Sequence, residues 1–111
     1  MRIISKKRLA EFWSAAGQKD AANALRHWHN VVSTAAWKTT ADVKQTFGKR
    51  VDFVQTRRTG NTVEVFDIAA NKYRLIAHVH FLPRHPEKGR VYVLRIMTHA
   101  EYDKEKWKDE L

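Results

Sequence analysis

The hydrophobic period of this chain changes at Val51, and that change constrains the fold more than any composition figure. Before it, apolar residues recur at helical spacing. Leu9, Phe12, Trp13 and Ala16 form one run, and Ala21, Leu25, Trp28, Val32 and Ala35 form a second. Stripes of this kind mark the buried face of amphipathic helices. After Val51 the segments "VDFVQ", "VEVFDI", "KYRLIAHVHFL" and "RVYVLRIM" alternate with period two, as half-buried strands do.

Local signals set the boundaries. Ser5 is placed to cap the first helix and Gly17 to end it, Asp20 to cap the second, and Thr39 to cap a short third in which Asp42 occupies the first turn and Val43 and Phe47 share a face. Gly60-Asn61 is a hairpin-type turn signal, and "PRHPEKG" gathers both prolines into a loop. Thr98 opens a closing helix over "THAEYDKEKW", with Glu101 in capping-box position. With "RII" at residues 2–4 as a short edge strand, the predicted order is strand, three helices, four strands in meander and a terminal helical turn. That order predicts one α+β domain over residues 1–111, its N-terminal helices packed on one face of an antiparallel sheet of four to five strands and a short helix closing the chain.

Composition narrows the function classes. No apolar run approaches the roughly 20 residues a membrane-spanning helix needs, and the basic N-terminus lacks the apolar stretch and cleavage site of a secretory signal. There is no cysteine, which excludes disulfides, thiolate nucleophiles and Cys-based zinc sites and suits a cytoplasmic location. Lys and Arg number 21 against 12 Asp and Glu, a net charge of +9 that a polyanionic partner would relieve. Nucleic acid and an acidic protein both satisfy that condition.

The stretch "NKYRLIAHVH" at residues 71–80 carries the chemistry. Tyr73, Leu75, Ala77 and Val79 fall on one strand face, and Lys72, Arg74, Ile76, His78 and His80 on the other. A metal held by His78 and His80 would need Asp67 or His85 as a further ligand, and Lys72 and Arg74 would repel it. An anion site fits the cations better, because arginine presents a planar fork of donors suited to phosphate. Arg74 lies mid-strand. Arg95 alternates with Val91, Val93 and Met97 and is expected on their otherwise apolar side. The plainer role for either is an internal ion pair, with Asp67, Glu64 or Asp103 as the acid. Two arginines with Lys72 and His99 near one end of the sheet favour phosphate.

Metal-independent cleavage of RNA needs a base for the 2′-hydroxyl proton, cations for the phosphate and an acid for the departing 5′-oxygen. His99 and Tyr102 are the residue types for proton transfer, and Lys72, Arg74 and Arg95 for charge. At the first turn of the closing helix His99 also stands where backbone N–H groups assist anion binding and favour a neutral imidazole. From the residues alone, plainer roles weigh more: a polar helix-start residue for His99 and a lid on the sheet for Tyr102. Trp13, Trp28 and Trp37 read as core, and Trp107 as a seal over the sheet in preference to a base-stacking ring. Lys6, Lys7, Arg8, Arg57 and Arg58 read as solvated charges that also suit a grip on nucleic acid.

Four stretches, "MRIISKKRLAEFW", "AAWKTTADVKQTF", "NKYRLIAHVHF" with the upstream "VFDIAA", and "RIMTHAEYDKEKW", resemble the HigB family of bacterial toxins, a branch of the RelE superfamily. The resemblance runs through residues 1–107 and is most specific at "NKYRLI" and "THAEYDK". It implies a RelE-like fold and a toxin of a type II toxin–antitoxin pair. The implied activity is that of a ribosome-dependent mRNA endonuclease that uses no cofactor and inhibits translation. The implied partners are mRNA, the ribosome and a HigA-like antitoxin with a helix-turn-helix domain. Carried onto this sequence, it points to Arg74, His99 and Tyr102 as catalytic residues, with Lys72, Arg95 and Asn71 as helpers. A non-catalytic RNA- or protein-binding module on the same frame is the alternative. Members usually carry Gly-Gly-Asn where this chain has Ala69-Ala70-Asn71. Alanine disfavours positive φ, so the turn is expected to be made differently here.

Overall fold

In the computed structural model, which describes residues 1–4, 11–12 and 19–111, the change of period at Val51 marks the passage from helices to sheet. A short strand β1 (Arg2–Ile4) opens the chain, followed by helices α1 (Lys19–Ser33) and α2 (Thr40–Phe47). Strands β2 (Val51–Gln55), β3 (Thr62–Ile68), β4 (Tyr73–His80) and β5 (Arg90–Thr98) form the meander, and two short helices, α3 (His99–Asp103) and α4 (Trp107–Glu110), end it. The expected first helix, with Ser5, Leu9, Trp13, Ala16 and Gly17, lies outside the described residues, as do Lys6, Lys7 and Arg8. Among the described residues no helix is long and apolar enough to cross a membrane.

The sheet order is β1-β5-β4-β3-β2. The α+β class is as expected, and hairpins make the four meander strands antiparallel. β1, however, pairs parallel with β5. No hairpin links first strand to last, so packing alone sets their direction, and the sheet is mixed.

The α1 stripe does what its spacing requires. Ala21, Leu25, Trp28 and Val32 are buried against Phe66, Leu75 and Ala77 of the sheet. Trp28 and Phe47 both set ring edges on Phe66, at centroid distances of 5.4 and 4.9 Å. Phe12 meets Tyr73 in the same edge-on manner at 5.3 Å. In α2, Thr39 is the N-cap, and Asp42 reaches back to the backbone nitrogens of Lys38 and Thr39 at 2.7 and 3.4 Å. Asp20 sits inside α1 rather than before it. Its carboxylate accepts from the Lys72 ammonium (3.0 Å) and the Tyr73 hydroxyl (2.9 Å), so it ties helix to strand instead of capping.

The other sheet face has its own small core, in which Val63, Val65, Ile76 and Met97 lie under Trp107. β4 is therefore buried on both faces from Tyr73 to Ala77. The closing helix is broken. Thr98 caps α3 through the Glu101 N–H, but Glu105 takes φ 58°, and the chain turns before α4. A bulge places Arg95 opposite Ile76 and Val93 opposite Ala77, leaving Leu94 as the extra residue. The parity of β5 flips there. Val91 and Val93 face the helices, while Arg95 and Met97 face the second core, so Arg95 does not share the valine side.

The β3–β4 turn departs most from expectation. Ala69, Ala70 and Asn71 all take positive φ, at 53°, 52° and 75°. The two alanines adopt the left-handed conformation despite its cost of about 1–2 kcal/mol per residue. Ala69→Gly and Ala70→Gly should each raise stability by roughly 0.5–1 kcal/mol, after the entropy glycine gains on unfolding is deducted. Urea denaturation checks this, and a lower midpoint for either variant would contradict it.

Glu64 shares the helix side of β3 with Phe66 and is 2% exposed. Its carboxylate accepts from the Val79 backbone N–H at 3.1 Å. Burial pushes its pKa up from 4.5 to about 7. The folded state thus holds this proton more tightly than the unfolded state. The carboxyl's contribution to stability is complete below about 4.5, falls as pH rises and is lost above about 7. Glu64→Gln keeps an acceptor for Val79 and removes the titration. It should match the parent near pH 4 and exceed it at pH 8 by on the order of 2–3 kcal/mol. Equal melting temperatures at pH 8 would refute this account.

Candidate active site

The strained turn delivers a cation. Asn71 and Tyr73 turn their carbonyls onto one terminal nitrogen of Arg74, Nη1, at 3.1 and 3.3 Å. Asp67 is Arg74's cross-strand neighbour on β3, and its Oδ1 lies 3.2 Å from Arg74 Nε. The guanidinium carbon stands 5.4 Å from the centroid of the Tyr102 ring, a cation–π contact. Arg74 as a residue is only 8% exposed. The ion pair with Asp67 weighed from the sequence is therefore present. Among the described residues the hydrogen bonds and ion pair of Arg74 use Nη1 and Nε.

Nη1 and Nε being engaged, the guanidinium is fixed at the wall of an open recess of about 380 Å³. Lys44, Lys49, Asp52, Asp67, Arg74 and Tyr102 are its polar lining. Lys44 comes from α2 and spans to the Val51 carbonyl at 3.1 Å, and Lys49 comes from the 3₁₀ turn Gly48–Arg50. The recess thus gathers three cations, two carboxylates and a phenol. Burial raises the Tyr102 pKa above the ordinary tyrosine value, with the Asp52 carboxylate adding to the rise and Arg74 opposing it. The phenol accordingly keeps its proton at neutral pH and can donate it.

His99 opens α3, one helical turn before Tyr102. Its N–H donates to the Lys72 carbonyl at 3.0 Å, which anchors α3 to the start of β4. The imidazole Nδ1 lies 2.9 Å from Asp103 Oδ2, and the side chain is half exposed. With Asp103 accepting from Nδ1–H, Nε2 is left as the basic nitrogen. α3 has only five residues, so Asp103, not a helix terminus, organises this ring. His99 is not part of the recess lining.

The other residues singled out from the sequence go to different places. Lys72 reaches away to Asp20, exposed, and Asn71 contributes its backbone carbonyl to Arg74. Arg95 pairs with Glu110. Arg57 pairs with Glu105 at 2.8 Å and with Asp109 at 3.4 Å, and Arg58 donates to the Glu110 carbonyl at 3.3 Å. All three of these arginines hold the C-terminal segment rather than the recess. His78 stacks on Tyr92 and His80 is exposed. Among the described residues no three His, Asp or Glu side chains gather as a metal site.

Sequence reasoning missed Lys44, Lys49 and Asp52. As a polar helix position, a turn residue and a strand-start acid, they carry no local signal of convergence with residues more than a dozen positions away.

A family model described as HigB toxin, the RelE-like toxic component of a toxin–antitoxin system, matches residues 21–105. No individual curated protein matches the chain. The matched span includes the strained turn, Arg74, His99 and Tyr102.

Replacing Arg74 with methionine would leave two carbonyls without their donor and Asp67 without its ion pair. We expect a loss of about 1–3 kcal/mol in stability. Arg74→Lys should recover only part of it, because an ammonium cannot fork. Denaturant titration decides this, and a methionine variant as stable as the parent would contradict the geometry.

Proposed function

This chain belongs to the HigB toxin family, the RelE-like toxic component of a toxin–antitoxin system, and from that premise we propose that it is a ribosome-dependent mRNA endonuclease. Its role as a toxin and its antitoxin partner come with the family. The observation that carries the nuclease reading is the contact of Arg74 with Tyr102 at the recess wall, which sets a guanidinium on the ring of a protonated phenol.

In this reading the scissile phosphate sits against the Arg74 guanidinium, with Lys44 and Lys49 in the same recess lining. The 2′-oxygen attacks phosphorus as its proton passes to a base, for which we assign His99 Nε2, outside the recess lining but one helical turn from Tyr102, with Asp103 on the opposite ring nitrogen steadying the imidazolium that forms. The bond from phosphorus to the 5′-oxygen breaks, and that oxygen takes the Tyr102 proton. The products are a 2′,3′-cyclic phosphate and a free 5′-hydroxyl, so the step balances without a metal or redox partner. Negative charge gathering on the phosphoryl oxygens is met by Arg74, held by Asp67 and two backbone carbonyls, and by Lys44, held by the Val51 carbonyl. Lys72, Arg95, Arg57 and Arg58 belong to the surroundings of this centre rather than to its chemistry. The net charge of +9 favours association with ribosomal RNA in the cytoplasm, and residues 1–111 act as one toxin domain.

The test is cleavage of a translated message in a purified translation system, with 5′ ends mapped by primer extension. The parent should cut, and Tyr102→Phe and His99→Ala should each slow the cut by about 100- to 10,000-fold. A variant that cuts at the parental rate removes that residue from the mechanism. Growth arrest with intact messages would instead support a non-catalytic module that binds RNA or protein.

A further inference from the structure

Tyr102 lies on a helix too short to place it. α3 has five residues and buries none of them, and isolated helices below about 12 residues are marginal in water. What fixes the phenol must come from elsewhere. Trp107 stacks on the Tyr102 ring at a centroid distance of 5.2 Å and an interplanar angle of 21°. Its indole Nε1 donates to the Tyr102 carbonyl at 3.2 Å, so both ring and backbone of Tyr102 are gripped by one side chain. Trp107 is itself 3% exposed, seated on Val63, Val65, Ile76 and Met97. Arg74, Tyr102 and Trp107 thus form a continuous stack, from the recess into the second core.

We propose that Trp107 is the positioning residue for Tyr102, and that the segment 105–111 acts as a strap whose fastening at the far end of the sheet sets the geometry of the recess. The inference rests on the nuclease reading for its consequence in rate, but not for its geometry. The fastening is the β2–β3 hairpin, at the opposite end of those strands from Asp52 and Asp67. Arg57 pairs with Glu105 and Asp109, and its N–H donates to the Lys108 carbonyl at 2.8 Å. Arg58 donates to the Glu110 carbonyl, and Arg95 pairs with the Glu110 carboxylate. Glu105, with its positive φ, forms the corner between α3 and the strap. Arginines that touch no part of the recess therefore control the residue expected to donate the proton. Because these ion pairs are about half exposed, salt weakens them.

The experiment reads Tyr102 directly in the full chain. Phenolate absorbance is followed against pH for the parent, Trp107→Phe, Trp107→Ala and Arg57→Ala, and the signal of the matching Tyr102→Phe double variant is subtracted. This isolates one of three tyrosines. The groups facing Tyr102 are Arg74, Asp52, Asp67 and Glu105, with Lys44 and Lys49 in the same recess lining. Trp107→Ala should move the Tyr102 midpoint down toward the ordinary value, since it uncovers the ring face on which the indole stacks. Trp107→Phe should restore most of the shift. Single-turnover cleavage should fall about 10- to 100-fold in Trp107→Ala and several-fold in Arg57→Ala, with KM within twofold of the parent. A merely structural role would reduce the folded fraction and leave the midpoint of the folded fraction unchanged.

Should Trp107→Ala fail to fold, Arg57→Ala is the deciding variant, because it alters only surface pairs. An unchanged Tyr102 midpoint and an unchanged rate in the folded variants overturn the proposal. A parent that cuts no RNA overturns the nuclease reading instead, and the titration still judges the strap.

Discussion

A guanidinium held almost wholly out of water must have its donors met or aimed at a ligand, and the requirement at Arg74 organises much of this protein. Asp67 answers Nε from the neighbouring strand, and the carbonyls of Asn71 and Tyr73 answer Nη1 from the turn and from the strand itself. Tyr102 covers the flat face. Each partner comes from a different piece of chain. Positioning the cation therefore depends on the β3–β4 register, on the left-handed turn and on docking of the C-terminal segment together. An unmet buried charge would be costly, which is why these elements are coupled.

The turn shows the same coupling in backbone terms. Three successive residues with positive φ are unfavourable for alanine, yet they present the Asn71 carbonyl to Arg74 and the Lys72 carbonyl to the His99 N–H. Strain that persists because its surroundings over-determine it is characteristic of sites where geometry matters. The family pattern read in the sequence places glycines here. Alanine takes a conformation that glycine reaches freely, so the departure carries a cost in stability.

The second face of the sheet gives the arrangement its chemical sense. Helices bury one face, as in many α+β proteins. The other face has only a few apolar side chains and a strap of seven residues, 105–111, to exclude water from them. That thin cover leaves an open recess beside the buried stack, where cations from α2 and the 3₁₀ turn join a phenol from α3. Membership of a toxin family and a recess with this inventory are mutually consistent.

Among the described residues the order of the strands and of the two long helices, and the helix-facing core, were legible in the sequence, because a backbone's period of 3.6 or 2 is a local property that apolar residues must follow. The resemblance in "NKYRLI" and "THAEYDK" likewise identified the family and drew attention to Arg74, His99 and Tyr102. Partners were not legible in this way. Arg74 and Arg95 both read as cations within apolar strands. One extra residue at Leu94 reverses strand parity and sends Arg95 to Glu110, while Arg74 stays at the recess. Arg57 and Arg58, a basic loop by sequence, fasten the strap because the hairpin happens to end beside it. Lys44 and Lys49 join the site only when α2 packs on the sheet. Period is set by neighbours along the chain, so the sequence determined it. Which charge meets which is set by distances between segments far apart in sequence, and only the tertiary structure decided that.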